Sequence, residues 1–79
     1  MYSLLYIKLG GAMKNRIREL RKVKQITQED LSKQVGVSRQ SIIAIESGKF
    51  NPSIELAYNI SKVFNCTIEE VFIFEEEEM

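Results

Sequence analysis

Histidine is missing from the chain altogether, and cysteine occurs once, as Cys66. Without imidazole there is no ready general base near neutral pH and no partner ligand to build a metal site around one thiolate. A single thiol cannot close an internal disulfide, so Cys66 is expected as a small buried hydrophobe between a helix end and the cap of the next helix. No apolar run reaches the roughly 18 residues that span a bilayer. The opening residues also lack the basic start and small-residue cleavage site of a secretory signal. The carboxylates fall on helix faces or in the tail rather than beside a nucleophile, which argues against catalysis. These absences predict a cytoplasmic chain with no metal, no cofactor, no small-molecule ligand and no membrane span. Its 79 residues allow one domain with a modest core, for which contacts with a partner matter.

Net charge is also absent, since eleven Lys and Arg balance eleven Asp and Glu. The balance hides a division. Residues 8–49 hold ten of the basic side chains against four acids, a net of +6, whereas residues 50–79 hold one Lys against seven acids, a net of −6. A basic half of this kind attracts a phosphate backbone over a Debye length of about 8 Å, and the acidic half is expected to point away from it.

The basic half contains the most informative segment, residues 27–49, TQEDLSKQVGVSRQSIIAIESGK. Thr27 followed by Asp30 has the spacing of a capping box at the head of a helix. Leu31 and Val35 give that helix an apolar stripe, and Gly36 supplies the left-handed exit that a Cβ would strain. Ser38 caps a second helix in which Ile42 and Ile45 face inward. Arg39, Gln40, Ser41, Ile43, Ala44 and Ser47 take the other directions, a face free of acid. Arg and Gln pair bidentately with guanine and adenine in the major groove, and a small apolar group suits a thymine methyl. The plan is that of a helix-turn-helix.

Together with RIRELRKVKQIT before it and NPSIELAYNISKVFNCTIEEVF after it, this segment resembles the lambda-repressor-like (Cro or Xre type) family of DNA-binding transcriptional regulators, from about Lys14 to Phe72. The resemblance implies a five-helix domain. It places Arg39, Gln40 and Ala44 at base-reading positions, and Ser41 and Ile43 of the same helix are expected to contact bases with them. It places Gln28 against the phosphate backbone, supporting Gln40. It also implies an internal ion pair between Arg21 and Glu46. Gln25 stands where the family often has glycine, and a left-handed conformation there costs about 1 kcal/mol.

Elsewhere the spacing predicts helices over residues 14–24, 53–64 and 68–72, besides 28–35 and 39–47. Ile17 and Leu20 face inward in the first, while Arg16, Arg18, Arg21, Lys22 and Lys24 coat the rest, either as a solvated face or as a phosphate-binding one. Pro52 breaks the chain and Ser53 caps the fourth helix, whose Ile54, Ala57, Ile60, Ser61 and Phe64 recur at core spacing. Thr67 and Glu70 repeat the capping box. Phosphate contacts are expected from Gln28, Ser38, Ser47, Lys49, Asn51 and Lys24, although Lys49 and Asn51 equally fit an ordinary surface turn.

The two ends alternate in the strand manner. Residues 2–9 carry a period-two pattern, and residues 71–74 are apolar before the solvated acidic run at 75–78. They are expected to pair as an antiparallel ribbon within one chain or between two, with Ile68, Val71, Phe72 and Phe74 at a homodimer interface; an ordered leader with no role is the alternative. Gly10, Gly11 and Ala12 before Met13 also fit a coding sequence that binds the ribosome ahead of an alternative start at Met13.

The expected architecture is all-α: a five-helix lambda-repressor-like domain over 14–72, a strand-like extension over 1–13 and an acidic tail over 73–79. The expected function is sequence-specific binding of double-stranded DNA by a homodimer on two half-sites about 34 Å apart, with repression by occlusion. The rival reading is an antitoxin or partner-binding adaptor whose acidic C-terminal half docks a basic protein.

Overall fold

Five helices and a two-stranded antiparallel ribbon make up residues 14–74, the part of the chain that the computed structural model describes. In order they are β1 (Lys14–Asn15), α1 (Ile17–Lys24), α2 (Gln28–Val35), α3 (Arg39–Glu46), α4 (Ile54–Val63), α5 (Ile68–Val71) and β2 (Phe72–Ile73). The longest helix has ten residues. Helices this short are marginal by themselves, and their ends must be satisfied locally.

The sequence supplies those ends. Thr27 Oγ1 accepts the Asp30 N–H at 2.9 Å while the Asp30 carboxylate accepts the Thr27 N–H at 2.9 Å. The Thr27 backbone bond, reinforced by its hydroxyl, holds the Asp30 carboxyl below its ordinary pKa. Thr67 and Glu70 form the same reciprocal pair at the head of α5. Ser38 and Ser53 cap α3 and α4 by accepting the N–H groups of Ser41 and Leu56, each at 3.1 Å. At the exits, Gly36 is left-handed with φ 78°, and Gln25 adopts the same conformation with φ 61° despite its Cβ. The Gln25 strain is offset by N–H bonds from Gln25 to Lys22 O and from Ile26 to Arg21 O, which close α1.

The core is Ile17, Leu31, Ile42, Ile45, Ala57, Ile60, Val71 and Phe72. Its centre is α2, which packs on both α3 and α4, with α5 against α4. The buried hydroxyls are bonded within their own helices, Ser61 to Ala57 O and Ser32 to Glu29 O. One helix assignment needs correction. Ile54, expected in the core, is 78% exposed on the first turn of α4, and Leu56 and Val63 pack against the core instead.

The ribbon differs more. Residues 2–9 lie outside the described residues, and the strand beside β2 is Lys14–Asn15, in the register Lys14↔Ile73 and Asn15↔Phe72. Helical periodicity assigned these two residues to the start of the first helix. The Asn15 side chain accepts the Ile17 N–H at 3.1 Å, which starts α1 three residues later and leaves 14 and 15 extended. The Arg16 N–H then donates to Val71 O at 2.8 Å. This arrangement turns Val71 and Phe72 inward, to 0% and 2% exposure. Both were expected at a dimer interface, but their side chains are used by the core of their own chain. The last helix correspondingly ends at Val71, because Phe72 is extended.

Truncating Phe72 separates these two roles. Phe72→Ala should cost about 3–5 kcal/mol, a large part of the stability of a small domain, in urea melts whose midpoint shift is independent of protein concentration. A cost that vanishes on dilution would return Phe72 to an interface.

Candidate nucleic-acid interface

α3 presents a face with no acid on it. Ile42 and Ile45 are buried, Arg39 and Gln40 are exposed on the first turn, and Ser41, Ile43 and Ala44 are half-buried. The first turn carries no acidic residue, so a phosphate approaching the Ser38 end of the helix meets N–H dipoles and Arg39 rather than a repelling charge. The turn ahead of α3 is set by Gly36, whose N–H, like that of Val37, donates to Ser32 O, at 2.8 and 3.1 Å respectively.

The only acid within α3 is Glu46, and it points the other way. Its Oε1 and Oε2 accept from Arg21 Nε at 3.0 Å and Nη2 at 2.9 Å, and Arg21 Nη1 also donates to Ile26 O. The side chains are 15% exposed for Arg21 and 9% for Glu46, so the pair is held in the α1–α3 contact. Arg18 Nε approaches the same carboxylate at 4.0 Å, but its side chain is 75% exposed and adds little.

Gln28 is half-buried at the head of α2. It lines one shallow groove with Ile43, Glu46 and Ser47, and a second with Arg21, Ile26 and Arg39. Among the described residues no hydrogen bond joins Gln28 to Gln40. Ser38, Ser47, Lys49 and Asn51 are exposed around the two ends of α3, whereas Lys24 is exposed at the far end of α1. The loop after α3 is folded back on it, with the Lys49 and Phe50 N–H groups both donating to Ala44 O and Ser47 Oγ donating to the same carbonyl. That bonding fixes where the Lys49 side chain leaves the surface.

Asn15 was missed as a contributor. Its Nδ2 donates to Ile45 O at 3.0 Å, across thirty residues of sequence, while its Oδ1 caps the Ile17 N–H. An Asn two residues ahead of a helix is a readable capping signal. Its reach to the end of α3 is a product of tertiary folding alone.

Because the Arg21–Glu46 pair is largely withdrawn from solvent, removing one partner strands the other. Arg21→Ala and Glu46→Ala should each cost about 3–5 kcal/mol in denaturant melts, with the double variant well short of additive. Costs below about 1 kcal/mol would mean that the pair behaves as a surface bridge.

The geometry has clear relatives. A helix-turn-helix family profile matches residues 17–71. An HTH-type transcriptional regulator of Archaeoglobus fulgidus is 54% identical over 67 residues, covering 85% of this chain and 94% of that protein. Another, from Methanocaldococcus jannaschii, is 53% identical over 66 residues, covering 84% of this chain and 100% of its own. Among solved structures, the P22 c2 repressor in complex with a synthetic operator superposes with a TM-score of 0.66 at 37% identity, over 68% of this chain and 82% of the repressor chain. The chain therefore belongs to the helix-turn-helix family of Cro/Xre-type DNA-binding transcriptional regulators.

Proposed function

We propose that the protein is a repressor that binds a pseudo-palindromic operator in double-stranded DNA as a homodimer and acts in the cytoplasm by occluding a promoter. The observation that carries this reading is the acid-free outer face of α3, whose one carboxylate is turned into an ion pair with α1. In the proposed complex α3 lies in the major groove, with Arg39, Gln40, Ser41, Ile43 and Ala44 toward base edges. Gln28, Ser38, Ser47, Lys49, Asn51 and Lys24 contact phosphates. Support comes from the relatives' names and from the P22 repressor's complex with an operator. The reading assigns the chain no reaction.

One helix reads few base pairs, so specificity favours two copies on half-sites about 34 Å apart. With Val71 and Phe72 committed to the core, the proposed dimer surface reduces to half-buried Ile68 and to Phe74, which is 57% exposed. A second reading, an antitoxin or adaptor, is favoured by exposed Phe50, Ile54 and Tyr58, at 53%, 78% and 53%, spaced four residues apart. Retention of a protein partner by a chain that selects no DNA sequence would decide for it.

Selection from random duplexes followed by titration tests the DNA reading. Arg39→Ala and Gln40→Ala should each cost about 1–3 kcal/mol on the selected site and relax preference at particular base positions. Lys49→Ala should leave preference intact and reduce the salt slope by roughly one unit. Uniform weakening by the first two variants would remove them from the base-reading face.

For assembly, Phe74→Ala should shift sedimentation toward monomer at concentrations where the parent chain is dimeric, with the thermal midpoint of the monomer unchanged. A dimer indifferent to Phe74 would place the interface elsewhere.

A further inference from the structure

The recognition surface depends on a residue outside the helix-turn-helix. α3 is held to the core by Ile42 and Ile45, and to α1 by Glu46 on Arg21. A helix fastened at its end by one ion pair can still pivot about that pair. Asn15 supplies a second fastening, because its Nδ2 takes Ile45 O while its Oδ1 takes the Ile17 N–H at the head of α1. The two attachment points are displaced along α1 by about 6 Å, four residues from Ile17 to Arg21 at 1.5 Å each. Asn15 itself is fixed by its place in β1, opposite Phe72, and by the adjoining bond from the Arg16 N–H to Val71 O.

We propose that Asn15 is a positioning residue for DNA reading: its side-chain amide fixes the angle of α3 against α1 and the terminal ribbon, and so sets the placement of Arg39 and Gln40 on base edges. The inference rests on the proposal that α3 reads DNA. Ile45 O already accepts the Gly48 N–H at 3.0 Å, so the carbonyl would not be orphaned without Asn15. The contact is therefore a weak requirement for folding and a strong one for geometry, since a reading constellation tolerates displacements of only about 0.5 Å.

Two variants of the full chain separate the roles. Asn15→Asp keeps an acceptor for the Ile17 N–H and loses the donor to Ile45 O, whereas Asn15→Ala loses both. Each is titrated, well below its thermal midpoint, with the duplex that the parent chain enriches from a random pool and with the unselected pool. Both variants should bind the selected duplex about tenfold more weakly, the scale of one misplaced base contact. For Asn15→Ala, affinity for the unselected pool and the salt slope should stay unchanged; Asn15→Asp adds a negative charge and is read by the ratio of its two affinities, which should fall by the same factor. In the free chain the Ile45 carbonyl carbon resonance should move in both variants. Equal weakening on both duplexes, or undiminished discrimination, overturns the positioning role; an unmoved resonance overturns the contact itself. If the parent chain enriches no sequence, the DNA-reading proposal fails and this inference with it, an outcome that the carbonyl resonance keeps distinct from loss of the contact.

Discussion

The placement of Glu46 is the constraint on which the acid-free outer surface of α3 depends. An eight-residue helix with two buried isoleucines has little of its own to hold it in place, and a carboxylate at its end would repel phosphate if it faced outward. Arg21 answers both problems. Its guanidinium grips both oxygens of Glu46, tying α3 to α1 and withdrawing the negative charge from the exposed face. Burying two charges is costly, and it is the paired geometry, together with the further bond from Arg21 to Ile26 O, that makes it tolerable.

The rest of the fold follows from having short helices around a small core. Such helices have a high proportion of end groups, and four of the five begin on a hydroxyl cap: Thr27, Ser38, Ser53 and Thr67. The exception, α1, has no such cap at Arg16 and takes its bond from Asn15 instead. At the exits, Gln25 and Asn65 occupy left-handed conformations alongside Gly36 and Gly48. Asparagine tolerates that region better than most residues, and glutamine does not. The chain therefore carries a local strain at Gln25 that the α1–α2 connection must outweigh.

Most of this was legible in the sequence because it is local. Capping boxes, serine caps and the glycine turn act within four residues, so their spacing alone places α2, α3, α4 and α5 to within about two residues. The apolar period likewise identified Ile17, Leu31, Ile42, Ile45, Ala57 and Ile60 as core. The Arg21–Glu46 pair was available only through family resemblance, since no periodicity links positions that far apart. What misled was the tail. Residues 71–74 have a strand's composition, and composition does not say which neighbour pairs with them or which side chains turn inward. Here β1 came from residues that fit a helix equally well, and the pairing buried the two side chains, Val71 and Phe72, that otherwise suit a dimer surface. Ile54 failed for a related reason: it has the spacing of a core residue but sits exposed on a first turn that none of the described residues buries.

The net neutrality conceals a division of charge along the chain. α1 through α3 carry six of the eleven Lys and Arg against four acids, whereas α4 and α5 carry Glu55, Glu69 and Glu70 against Lys62. A uniformly basic domain of this size would bind phosphate through any face, and nonspecific DNA would compete strongly with the operator. On the proposed reading, acid in the second half of the sequence disfavours encounters with DNA through that half and favours those through α3. In the proposed complex, discrimination between sequences is left to side chains such as Arg39 and Gln40. Because both lie on one short helix, that proposed reading would rest in turn on the bonds by which Arg21 and Asn15 hold the helix's far end.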